Sequence, residues 1–156
     1  MDIKEITRDK SLGMTIIVKT ISRLIVSFIL VFGLYIVLYG HITPGGGFAG
    51  GVILAISYVL LILAFGGKVA VAKMSGFWAS MWDNLGALAF VVIGFLGLIG
   101  GYFFLNFINH GTPGKLISAG IIPLCNIAIA VKVGAALYAV FLALSIYGRI
   151  STEEDE

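Results

Sequence analysis

The stretch 116–147, LISAGIIPLCNIAIAVKVGAALYAVFLALSIY, decides the fold. Its apolar run is interrupted by one charge, Lys132, near its middle. An α-helix rises roughly 1.5 Å per residue, and about 20 apolar residues cross the hydrocarbon layer. The stretch is too long for one straight span. Pro123, whose ring suits a first helical turn and disrupts an interior one, is expected to start or kink the helix, which places the last span at 123–147. A charged side chain near a bilayer midplane costs roughly 2.5–3.5 kcal/mol on insertion scales. The other apolar runs carry no ionisable group at comparable depth. The expectation is therefore that the counter-charge for Lys132 comes from outside this chain, from another subunit, lipid, an ion or water.

At helical spacing Cys125, Ala128, Lys132, Ala135, Ala136, Ala139 and Ala143 form one stripe, with Ile127, Val131, Leu137, Tyr138 and Phe141 opposite. Small residues mark helix contacts in membranes. The stripe is expected to face protein and the bulky side lipid. Lys132 lies too many turns from either end to reach the headgroups. Two readings remain for it: a bridge that holds helices together, or a hydrated charge beside an ion route. Asn126, on a different face, is expected to hydrogen-bond between helices.

The rest of the chain repeats the pattern of long apolar runs. Of its 156 residues 60% are hydrophobic and 12% charged, with a mean hydropathy of +1.09, against about 45–50% apolar in soluble domains. Four spans follow, at 17–39, 44–65 (starting at Pro44 or at Phe48), 85–105 and 123–147, in a single domain covering 1–156 that is all-α and membrane-embedded. Asp83 or Asn84 reads as the N-cap of the third span, with Trp78 and Trp82 at the interface. Lys19 and Arg23 stand at the start of the first span, where long stems reach back toward the headgroups. Lys4, Arg8, Lys10, Lys19, Arg23, Lys68, Lys73 and Arg149 fall on one side of this arrangement and only Lys115 on the other. Basic loops stay in the cytoplasm, so both termini and the 65–81 connection are expected there, in a multi-pass protein of the cell membrane. The acidic end, 151–156, reads as a solvated tail. The first 15 residues are too charged for a secretory leader. With one cysteine, Cys125, a disulfide or thiolate metal site within the chain is excluded by count.

Both histidines lie in one recurring pattern. His41-Ile42-Thr43-Pro44-Gly45 and His110-Gly111-Thr112-Pro113-Gly114 are offset by 69 residues, and the offset also relates Gly51 to Gly120. Each copy would join two antiparallel helices on the external side, as in two related hairpins. Alternatively, Thr followed by Pro simply starts helices well. Imidazoles titrate near neutral pH, so His41 and His110 are candidates for proton uptake as well as for interfacial hydrogen bonding. No metal site is expected from two histidines without neighbouring acids.

The segment Pro44-Gly45-Gly46-Gly47-Phe48-Ala49-Gly50-Gly51 formally contains G-x-G-x-x-G. A nucleotide site is rejected, because the motif follows a membrane helix rather than a strand and no acidic residue lies between it and Asp83. The i, i+4 pairs Gly46/Gly50 and Gly47/Gly51 would let a helix approach closely. The glycines would equally permit irregular backbone lining a hydrated passage.

Extended by Gly40-His41-Ile42-Thr43, this segment resembles the G-H-x-x-P-G-G-G-F-x-G-G signature of the B subunit (MnhB/MrpB) of multisubunit Mrp-type cation/proton antiporters, with every fixed position present. The resemblance covers nearly the whole chain. It implies a non-catalytic membrane subunit of a hetero-oligomer that moves Na⁺ and H⁺, with other membrane subunits as partners. Related subunits occur in membrane-bound hydrogenases and similar redox complexes. Here Gly114-Lys115-Leu116, then Asn126 and Lys132, stand where an acidic residue is associated with antiporter versions, which resembles the hydrogenase-associated branch. The family supplies no catalytic residue to carry over. No cofactor, nucleic acid or catalytic centre is expected; the rival reading is a small autonomous homo-oligomeric channel or transporter.

Overall fold

The computed structural model describes residues 14–66, 76–116 and 118–154, with side chains as far as Ser145. Lys4, Arg8, Lys10, Lys68, Lys73, the Arg149 side chain and residues 155 and 156 lie outside the described residues. The protein is an all-α membrane protein of four spanning helices. They are α1 (Ile16–Tyr39), α2 (Gly47–Phe65), α3 (Gly76–Leu96, continued by a 3-10 turn Gly97–Gly100) and α4 (Ile122–Glu154).

The helices pack in the order α1, α2, α4, α3, so that α2 and α4 have two full neighbours each while α1 and α3 have one. The share of each apolar window buried within the chain follows: 33% for α2 but 17% for α3. Large apolar side chains such as Leu24, Phe28 and Val31 on α1 remain exposed, as lipid contact requires.

Glycines set the close approaches. A Cβ on Gly51 would stand 2.9 Å from the Ala130 carbonyl oxygen, and one on Gly47 would meet Ile129 at 2.8 Å, so α2 lies directly on α4. Gly50 instead faces Val37 and the Gly33 carbonyl on α1. Gly86 does the same for α3, 2.7 Å from the Lys132 amide nitrogen. The Gly47/Gly51 pair thus packs as expected. Gly46 does not, because it is the N-cap of α2 at φ +127 and leaves the helix before it begins.

At one end of the bundle the Met14 amide donates to the Ala64 carbonyl at 3.0 Å. The Arg23 guanidinium lies over the Phe65 ring at 4.9 Å, with the Lys19 ammonium at 6.0 Å. The basic start of α1 therefore sits beside the end of α2.

Several boundaries differ from the expected ones. The third helix begins at Gly76, nine residues before 85, so Asp83 is an interior helical residue and caps nothing. It also ends early. Gly97, Gly100 and Gly101 weaken the helix, Gly101 closes it at φ +106, and the Phe104 amide turns back to the Gly94 carbonyl at 3.1 Å. Residues 101–105 therefore fold over α3 instead of extending it. The second helix starts at Gly47, next to the later of the two expected starts, Phe48, and not at Pro44, and α4 runs on to Glu154, so the first part of the acidic end is helical. Pro123 lies in the first turn of α4 and starts it without a kink-forming role. Tyr138, expected against lipid, is 1% exposed, packed with Ile62, Ala79 and Leu142. A helix with two neighbours buries two faces, and Tyr138 belongs to the second.

Candidate functional site at the α3–α4 seam and the outer turns

Lys132 has a partner inside the chain. Its Nζ donates to Asp83 Oδ1 at 2.9 Å, forming an ion pair across the α3–α4 seam. This corrects the expectation of an outside counter-charge. Gly86, one turn after Asp83, brings the α3 backbone against Lys132, so the carboxylate and the ammonium meet without either side chain stretching. Asp83 stands seven residues into α3, about 10 Å along its axis, and Lys132 ten residues into α4, about 15 Å along. The pair is not enclosed. The side chains of Lys132 and Asp83 keep 46% and 31% exposure.

On α3 the buried residues Ala79 and Gly86 mark the seam. Trp82 and Asp83, about 100° apart around the helix, flank it on opposite sides. Trp82 closes an apolar groove over Leu54, Ala55, Tyr58, Ala130 and Gly134, whereas Asp83 carries the charged side.

Asn126 stands six residues before Lys132, toward the outer turns. Its Oδ1 accepts from the Gly47 amide at 3.3 Å, satisfying a donor that the first turn of α2 leaves free. This is the expected helix-to-helix bond. Its Nδ2 is buried without a hydrogen-bond partner among the described residues.

The first His-x-Thr-Pro-Gly copy reaches the residue that follows the second, and the two differ in structure. The His41 Nε2 donates to the Lys115 carbonyl at 3.4 Å, so that nitrogen carries the ring proton. His110 has the other tautomer, since its Nε2 accepts from Asn106 Nδ2 at 3.1 Å. Neither Thr-Pro pair starts a helix. The Thr43 amide and hydroxyl both turn back to the Tyr39 carbonyl, at 2.9 and 3.1 Å. Pro113 lies in a turn well before Ile122. Gly51 is buried inside α2 while Gly120 precedes α4 at φ +64, so the 69-residue offset does not relate equivalent positions there.

Two residues organise these sites in roles the sequence did not reveal. Asp83 is one. The other is Asn106, whose Oδ1 accepts from the Ile108 and Ile121 amides at 3.3 and 3.2 Å, while its Nδ2 reaches the Ala119 carbonyl at 3.5 Å. It holds Ala119, at φ +66, in the left-handed conformation that launches α4. An asparagine followed by an outer histidine was the available signal; its bonds span fifteen residues and have no local signature.

The seam offers a charge pair, and the outer turns offer two imidazoles. Lys132 is separate from both histidines, so the named candidates do not converge on one centre. No group of three or more His, Cys, Asp or Glu side chains suited to a metal occurs among the described residues.

Comparison with known proteins adds identity to this geometry. Residues 17–139 match the family described as the domain related to the MnhB subunit of Na⁺/H⁺ antiporter. An uncharacterized protein of Methanocaldococcus jannaschii is 41% identical over 135 residues, 80% of this chain and 51% of that protein. The antiporter subunit mnhB2 of Staphylococcus saprophyticus is 42% identical over 50 residues, 32% of this chain and 36% of that protein. A chain in the membrane-bound sulfane sulfur reductase, an archaeal respiratory membrane complex, superposes with a TM-score of 0.76 at 32% identity, covering 87% of this chain and 60% of that one. The chain therefore spans about half the length of its first curated relative.

Proposed function

This chain belongs to the family of domains related to the MnhB subunit of Na⁺/H⁺ antiporters, and from that membership we propose that it is a non-catalytic membrane subunit of a redox-coupled complex whose antiporter-like part moves Na⁺ and H⁺. The observation that carries the choice of complex is coverage. A chain of the respiratory complex superposes over 87% of this chain at 32% identity, with a TM-score of 0.76. Departures from the antiporter pattern after Gly114, with Asn126 and Lys132 on α4, support the same choice.

Within that complex the chain contributes packing surfaces and polar groups beside the ion route. The glycine turn from Pro44 to Gly51, including Phe48, joins α1, α2 and α4. Asn126 fixes the start of α2, and the Asp83–Lys132 pair and the two outer histidines supply the charge and proton-accepting groups. Both termini lie in the cytoplasm, on the basic side.

The test is Na⁺-dependent proton movement in inverted membrane vesicles from cells with and without this chain, energised by the electron donor of the parent complex. Loss of Na⁺-coupled proton movement on deletion, restored by the full chain, is the expected result. Unchanged coupling would reject the reading, and transport by the chain alone in liposomes would favour a homo-oligomeric channel.

A further inference from the structure

We propose that the flank of the α3–α4 seam bearing Asp83 and Lys132 is a docking surface for a membrane-spanning helix of a different subunit, which presents a side-chain oxygen to the Lys132 ammonium. The inference rests on the reading that the chain works inside a larger membrane complex.

The pair itself makes the argument. An ammonium has three donors and a carboxylate about four acceptor sites, and among the described residues this pair uses one contact, Nζ to Oδ1. The remaining capacity points outward, since Lys132 is 46% exposed and Asp83 31%. Both lie about 10–15 Å inside helices long and apolar enough to cross a membrane, whose hydrocarbon core is about 30 Å thick. Acyl chains accept no hydrogen bonds, and polar groups left unsatisfied there are costly. Whatever covers the pair must therefore offer polar atoms at that depth.

The surrounding side chains favour a helix over a water-filled passage. Ser80 and Ala87 flank Asp83 on α3, and Ala136 flanks Lys132 on α4. Small side chains let a helix backbone come close enough for a direct interhelical hydrogen bond. The outer face of α1, by contrast, presents Leu24, Phe28 and Val31 at 63–70% exposure, which suits lipid.

A photoreactive benzoylphenylalanine placed singly at Ala87 and at Ala136, with Ser80 at the rim as a third site, tests this in native membranes carrying the full chain. The expected result is a light-dependent adduct with a different membrane-spanning protein that also co-purifies with the chain. Its yield should fall several-fold when Asp83→Asn and Lys132→Gln neutralise the pair together. An adduct with a second copy of the chain, adducts with lipid alone, or a yield indifferent to neutralisation would each overturn the proposal. So would reaction of Ala136→Cys, in a Cys125→Ala background, with a bulky water-soluble thiol reagent in the assembled complex, since that marks an aqueous passage. Other subunits that co-purify but give no adduct at these positions would sink the face assignment and leave the proposed function standing.

Discussion

At the scale of single residues, Asp83 and Lys132 act as one unit. Each charge alone in a membrane span would be left uncompensated, and breaking such a pair costs more than replacing both partners. Lys132→Met and Asp83→Asn are therefore each expected to lower the thermal midpoint of the detergent-extracted protein. The double substitution should recover part of the loss, with a coupling of about 0.5–3 kcal/mol in a double-mutant cycle. Additive effects would mean that the two charges do not interact. Gly86 gives a second residue-scale prediction. A methyl there meets the Lys132 amide nitrogen at 2.7 Å and the Ala128 carbonyl at 2.9 Å. Gly86→Ala should cost about 1–3 kcal/mol through overpacking, while Gly76→Ala, with open space around it, should be close to neutral in the same melting measurement.

At the scale of elements, the start of α2 and the loop before α4 depend on side-chain amides. Asn126→Ala removes the acceptor of the Gly47 amide and should destabilise the α2–α4 contact by about 0.6 kcal/mol, the average for interhelical bonds in membranes, and at most about 1.7 kcal/mol in thermal unfolding. Asn106→Ala should release residues 106–121, read as faster amide hydrogen exchange there with the spans still protected. The spans themselves were legible because hydropathy of the required length has few alternative explanations, and Gly47/Gly51 spacing pointed correctly at a close helix. The start of α3 was not legible. Trp78, Trp82, Asp83 and Asn84 have the composition of an interface, and only the position of Lys132 on a helix 49 residues later makes an interior carboxylate affordable. The role of Asn106 was hidden for a similar reason: its partners at Ala119 and Ile121 become neighbours only after the loop closes. Tyr138 was misplaced because a helical wheel shows periodicity but not how many neighbours a helix has.

At the scale of the whole molecule, four helices packed in the order α1, α2, α4, α3 leave α1 and α3 with one full neighbour each, so broad surfaces remain to be covered from outside. One of those surfaces carries the Asp83–Lys132 ion pair between two membrane-spanning helices, which is the basis for proposing that the chain works beside other subunits. The family match and the similarity to a chain of a respiratory membrane complex support that proposal. Native mass spectrometry of particles extracted in gentle detergent through a tag on this chain tests the account most directly. The predicted result is a particle containing this chain together with different membrane subunits and a redox partner. A particle whose mass is accounted for by copies of this chain alone would contradict it.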